Sequence, residues 1–180
     1  MKRRKKAHAV SVREMAIFSM LGALMFCSKI IMEALPNIHL LGMLVMVYTI
    51  VFRAKALIPI YLFVFMTGLY GGFGLWWLPY LYIWAILFLA TMLLPKKMPR
   101  AAAAIVYPAV CCLHGLLYGT LYAPAQALLF GLSFEGMLSW IVAGLPFDML
   151  HGIGNLFCGL LILPLSHLLE RLSRKKTHLS

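Results

Sequence analysis

Asp148, His151 and Asn155 stand at i, i+3 and i+7 of one apolar run, so a helix there carries them as a single polar stripe. A carboxylate and an imidazole one turn apart are a pair that acid–base chemistry uses, and equally a pair that hydrogen-bonds a polar solute. His114 is a second imidazole, set in another apolar run. Lys29 and Glu33 are one turn apart and can form an ion pair, with Asn37 and His39 following shortly after. A further group is aromatic. Trp76 and Trp77 lie in the glycine-containing stretch from Tyr70 to Tyr80, and Tyr118, Tyr122 and Gln126 stand near the end of a later apolar run, where they would face the same mouth. Flat rings of this kind offer stacking surface to a planar ligand.

Other chemistries lack their residues. There is no Gly-x-x-x-x-Gly-Lys-Ser/Thr phosphate loop, no HExxH and no Gly-x-Ser-x-Gly, so the chain carries no ATPase motif and no hydrolase motif. With five acidic residues in all, a di-metal carboxylate site is not indicated. Cys27, Cys111, Cys112 and Cys158 lie inside apolar stretches without CxxC spacing, which reads as buried apolar thiols rather than a zinc site or a disulfide framework. No catalytic residue, no metal and no cofactor is expected.

The elements that must position these groups follow from composition. Hydrophobic residues make up 63% and charged residues 12% of the 180, against about 45–50% and about 25% in ordinary soluble domains. So few charges cannot cover a soluble surface, and the bilayer is the natural solvent. Spanning helices of about 20 residues are expected at Met15–Leu35, Ile38–Phe52, Ala56–Tyr70, Trp77–Leu94, Ala101–Tyr122 and Met137–Leu169. Pro36, Gly71-Gly72, Pro95 and Pro124 punctuate them, and a short apolar stretch, Ala125–Leu132, follows the fifth. The second run is short and open to a partly re-entrant reading. Pro146 and Pro164 are expected to bend the sixth, which is long enough to project past the bilayer.

Charge gives the orientation. Fifteen of the sixteen Lys and Arg residues fall before the first run, between the second and third, between the fourth and fifth, or after the sixth, with Lys29 the exception. Those places alternate, so all face one side, and the positive-inside rule makes that side cytoplasmic. The net charge of +11 is therefore a topology signal rather than a nucleic-acid face. The expectation is an all-α polytopic membrane protein: one domain, a six-transmembrane-helix bundle over 15–170, with basic cytoplasmic tails at 1–14 and 171–180 (N-in/C-in). The basic start reads as the flank of a first membrane anchor, since no small-x-small cleavage site follows it.

At about 1.5 Å per residue, Lys29 and His114 both lie about 20 Å from the inner face, in the outer half of the bilayer. Asp148 falls near the midplane, where an uncompensated carboxylate is costly, and its partner is expected to be His151 or Lys29. The stripe reads either as a ligand site or as a polar lock between helices. The aromatic stretch from Tyr70 to Tyr80, continued by Tyr82 and Trp84, reads either as an interfacial belt or as a lid over an outer mouth. Ser19, Ala23 and Cys27 form a small-residue stripe on the first helix, suited either to packing inside the bundle or to docking a membrane partner.

The segment Gly144-Leu145-Pro146-Phe147-Asp148-Met149-Leu150-His151-Gly152-Ile153-Gly154-Asn155 resembles the Pro-Phe-Asp stretch in the sixth helix of the substrate-binding S components of energy-coupling factor (ECF) importers of bacteria. Leu35-Pro36-Asn37-Ile38-His39-Leu40 and Leu121-Tyr122-Ala123-Pro124-Ala125-Gln126 are similar to a subgroup of that family. The resemblance spans nearly the whole chain. It implies a bacterial plasma membrane location and one outward-facing pocket lined by the outer parts of helices four to six. It also implies assembly with a transmembrane coupling protein and two ATPases through the small-residue stripe of helix one. Family members that import cobalt or nickel have a histidine after the initiator Met, where this chain has Lys2, so a vitamin-like micronutrient is favoured over a metal. The mouth aromatics suit a planar heterocycle such as riboflavin, folate or thiamine, and Lys29 suits an anionic group on it. The expected substrate-binding set is Lys29, Asn37, His39, Trp76, Trp77, His114, Tyr122, Gln126, Asp148, His151 and Asn155. The expected partners are the micronutrient, membrane lipid, the coupling protein and the two ATPases, and no nucleic acid. Two other readings remain: an intramembrane enzyme using Asp148 and His151, and a stand-alone secondary carrier, though its two three-helix halves show no self-similarity.

The topology is directly testable. Reporter fusions at the C-terminus and after Lys97 should report the cytoplasm, and fusions after Gly72 and after Ser133 the opposite side. A fusion series placing Lys97 outside would overturn the six-pass reading.

Overall fold

The computed structural model describes residues 10–35 and 37–175. The basic cluster Lys2–Lys6, Pro36 and Lys176 lie outside the described residues. The chain is all α-helical, and five segments of it are long and apolar enough to cross a membrane. This is a polytopic membrane bundle.

Helix α1 (Val12–Ile31) starts earlier than hydropathy alone predicts. Ser11 accepts from the Glu14 N–H and the Glu14 carboxylate accepts from the Ser11 N–H, a reciprocal capping box that fixes the start ahead of the apolar run. Phe18, Gly22, Met25 and Ser28 form its buried stripe. A 3₁₀ turn, Met32–Ala34, ends it.

Helix α2 (Leu41–Phe52) has only 12 residues, about 18 Å, against a hydrocarbon core of about 30 Å. Its shortness carries no mismatch penalty, because every residue from Leu41 to Thr49 is buried against α1 and helices of the later chain. A helix apolar all round belongs inside, and α2 is the core of the bundle rather than a re-entrant piece. It reverses at Arg53, where φ is 54° and ψ −130°, a conformation that costs a non-glycine residue of order 1–3 kcal/mol. A 3₁₀ turn, Arg53–Ala56, leads into α3 (Leu57–Gly71). Side-chain contacts fix the directions. Phe18 meets Phe52 and the Tyr48 hydroxyl donates to the Leu21 carbonyl, so α1 and α2 are antiparallel. Lys55 pairs with Glu14 at 2.6 Å and Phe26 meets Tyr70, so α1 and α3 run the same way. The 31-residue apolar segment Leu41–Gly71 is thus two passes, giving six in all among the described residues.

Helix α4 (Tyr80–Leu93) descends beside α3 after a 3₁₀ turn at Leu75–Trp77. The expected fifth helix is two: α5 (Arg100–Leu116) and α6 (Tyr118–Phe130), broken at Leu117. Pro124 does not end it, and the stretch from Ala125 belongs to α6. The expected sixth helix is also two. Helix α7 (Phe134–Gly159), capped by the Ser133 hydroxyl on Gly136 N–H, runs through Pro146. The chain then breaks at Leu160-Leu161 and resumes as α8 (Ile162–Lys175). Pro164 falls in the first turn of α8, where no intrahelical donor is needed, so it marks a helix start rather than a bend.

Glycines set the closest helix contact. A Cβ on Gly115 of α5 would lie 2.9 Å from the backbone of Gly152 on α7, and one on Gly159 would lie 2.7 Å from Cα of Pro108. Two helices meet here backbone to backbone, as small residues allow in membranes. Gly115→Ala should therefore force α5 and α7 apart and cost about 1–3 kcal/mol, read as a lowered melting temperature in detergent. Gly144→Ala, where an added Cβ meets nothing within 4 Å, should be neutral or mildly stabilising. Equal losses from both would refute the close packing.

Candidate functional site

The break between α5 and α6 leaves the N–H of Gly119 without its usual helical acceptor. Asp148 on α7 supplies one: its Oδ1 accepts from Gly119 N at 2.9 Å. The partner expected for Asp148 was His151 or Lys29, and the structure gives a backbone amide instead. The approach requires a glycine, since a Cβ at 119 would fall 2.5 Å from Asp148 Oδ2. One helical turn or two along α7, Asn155 is 1% exposed and its Nδ2 donates to the Cys111 carbonyl at 3.2 Å. Asp148 and Asn155 thus tie α7 to α5 and α6, which is the polar-lock reading of that stripe.

His151 faces elsewhere. Its ring stands 4.5 Å from His39 and 4.7 Å from Tyr118, centroid to centroid. It lines a cavity of about 230 Å³ together with Lys29, Asn37, His39, Tyr80 and Tyr118. The end of α1 and the loop after it supply Lys29, Asn37 and His39, while α4, α6 and α7 each supply one ring. Most of this wall is therefore the end of the first helix and the segment after it, where the resemblance pointed to helices four to six capped by the outer loops. Lys29 Nζ is 3.9 Å from Glu33 Oε1, the expected i, i+4 pair, at the cavity rim. Asn37 takes φ 57°, a left-handed turn conformation that asparagine tolerates.

Behind the cavity the ring cluster continues inward. Trp84 is 1% exposed and packs near His39, Tyr80, His114 and Tyr118. The His114 Nε2 donates to the Ile83 carbonyl at 3.2 Å, which assigns its tautomer. Several buried polar atoms here have no hydrogen-bond partner among the described residues: His39 Nδ1, His151 Nε2, His114 Nδ1 and Trp84 Nε1. Each such atom costs about 1–3 kcal/mol if nothing meets it. Among the described residues no group of three His, Cys, Asp or Glu side chains could hold a metal ion.

The remaining expected residues are placed elsewhere. The Trp77 indole donates to the Val64 carbonyl at 2.7 Å and packs edge-on to Phe73, so it clamps the loop to α3. The Trp76 carbonyl accepts from the Tyr122 hydroxyl at 2.8 Å, tying that loop to α6. Gln126 stands one turn beyond Tyr122 on α6, off the cavity wall. Tyr80 and Trp84 point inward rather than forming an interfacial belt, and of the three residues expected to face the outer mouth, Tyr118, Tyr122 and Gln126, Tyr118 lies on the cavity wall. On α1, Ser19 and Cys27 are exposed and Ala23 is half-buried, on a different face from the buried stripe; Cys27 is thus not a buried thiol.

If Asp148 serves as an acceptor for Gly119, Asp148→Asn should keep most of the stability, because the amide oxygen still accepts. Asp148→Ala should lose about 1–3 kcal/mol, read by thermal melting in detergent. Equal losses in both variants would show that charge, not acceptance, is what the position needs.

No known family model, curated protein or solved structure matches the chain.

Proposed function

We propose that this membrane protein is the solute-capturing subunit of an ECF-type importer in a bacterial plasma membrane. It takes a vitamin-like micronutrient into the outer cavity and depends on a transmembrane coupling protein and two ATPases for release inside. The observation that carries the reading is the pair His39 and His151. Their rings are 4.5 Å apart on the wall of the outer cavity, and each keeps a buried nitrogen unpartnered within the chain. Both nitrogens are closed to solvent in this arrangement, and a solute with hydrogen-bonding edges satisfies them once the rings turn towards the cavity. Tyr80 and Tyr118 offer flat surface to a planar ring, and Lys29 at the rim suits an anionic group. The chain has no phosphate-loop motif of its own, so energy must come from partners. The Ser19–Ala23–Cys27 face of α1, exposed at Ser19 and Cys27 and half-buried at Ala23, fits docking of such a partner. An intramembrane enzyme working through Asp148 and His151 draws less support, because one oxygen of the Asp148 carboxylate is held by Gly119 N–H and Asp148 is not on the wall of the cavity that His151 lines.

Solvent extracts of the purified chain, examined by mass spectrometry, should contain an enriched small molecule that is lost from His151→Phe. Riboflavin, folate and thiamine, tested singly at about 100 times Kd, should include one that raises the melting temperature by about 5–10 °C. Absence of both signals would sink the capture role.

A further inference from the structure

At the opposite, basic end of the bundle a second cavity of about 200 Å³ opens between the ends of α2, α4 and α5. Its charged walls are Arg53 and Lys96, with Tyr107 beside them, and the rest includes Ile50, Leu94 and Pro95. Arg53 is the residue held at φ 54° and ψ −130°, where glycine would sit without strain. The strained turn does something for the side chain. The guanidinium donates through NH2 to the Met92 carbonyl at 3.0 Å, near the end of α4, and is thereby held on the cavity wall. A guanidinium has five N–H donors, so most of its fork remains for a ligand.

No carboxylate lines this wall, although Glu170 lies within electrostatic reach of Tyr107, and the ion pairs Lys29–Glu33 and Lys55–Glu14 involve neither Arg53 nor Lys96. Lys55, two positions along, shows the contrast: it has Glu14 at 2.6 Å. Two cations share a part-apolar recess at the level where spanning helices end, on the side that carries the chain's basic residues. That is where phospholipid headgroups lie, and the inner leaflet is the anionic one. Arginine held in a fixed orientation matches the paired oxygens of a phosphate.

We propose that this recess binds the phosphate of an anionic inner-leaflet phospholipid. Arg53 and Lys96 meet its oxygens, and Ile50, Leu94 and Pro95 contact the apolar part below the headgroup. The strained turn at Arg53 is then the device that aims the guanidinium.

The test uses the full chain in nanodiscs of phosphatidylcholine alone or doped with phosphatidylglycerol. Wild type should melt about 4–8 °C higher with the anionic lipid. Arg53→Gly, which suits the backbone there, and Lys96→Gln should each lose more than half of that increment. Lys97→Gln removes the same charge one residue away, off the wall, and should keep it. If Arg53→Gly and Lys96→Gln keep the increment, or Lys97→Gln loses as much as they do, general surface charge is responsible and the site is overturned. Inorganic phosphate added to the protein in detergent should give no comparable rise; a full rise from phosphate alone would overturn the lipid assignment.

Discussion

A carboxylate inside a bilayer must find a donor, and in this protein the hydrogen bond from Gly119 N–H to Asp148 organises the outer half of the bundle. The chain meets that demand by breaking a helix. Interrupting α5 and α6 at Leu117 frees an amide, and glycine at 119 lets α7 bring its carboxylate within reach. The arrangement gives an otherwise orphaned amide its acceptor and one carboxylate oxygen its donor, while Asp148 Oδ2 stays buried without a partner among the described residues. Gly115 and Gly152 make it possible by letting the two backbones touch. The same break sets Tyr118 beside His151 and lets Tyr122 reach back to the loop at Trp76.

The second organising element is α2. Enclosed by other helices, it needs neither the length nor the surface of a lipid-facing span, and its ends set where the cavities fall. The loop leading into it carries His39 to the outer cavity, and the turn leaving it carries Arg53 to the inner one. A short, wholly buried helix therefore works as a spacer that fixes the separation of two polar regions.

Much of this architecture is legible in the sequence because hydropathy and charge report on the solvent. The six apolar runs and the alternating basic clusters give the passes and their directions, and the reversal at Arg53 matches the charge break between the second and third runs. Helix breaks are less legible, because proline misleads inside a bundle. Pro124 lies within continuous helix, while the real interruptions fall at Leu117 and Leu160-Leu161, where tertiary hydrogen bonds and packing decide. Two signals were present and unread: the Ser11–Glu14 capping box and the glycines at 115 and 119 on one helix face. Of the expected site residues, Lys29, Asn37, His39 and His151 converge on the cavity. Asp148 and Asn155 share the stripe with His151 yet bond to backbone, a distinction that spacing along one helix cannot make because it depends on what the facing helix presents.

The two cavities also bear on how a solute could pass. Between them lie large, fully buried side chains of the core, including Met46, Tyr48, Phe63, Trp84 and Leu87. Moving a solute straight through that layer would mean displacing several large side chains, each packed at the density of a protein interior. The outer cavity ends at the ring cluster around Trp84 and the inner one at Ile50 and Thr91. Under the proposed capture role, such a bundle suits binding better than conduction. Release on the other side would then call for motion of the bundle as a unit relative to the membrane, with α2 and its neighbours staying packed throughout, driven by the proposed partner subunits.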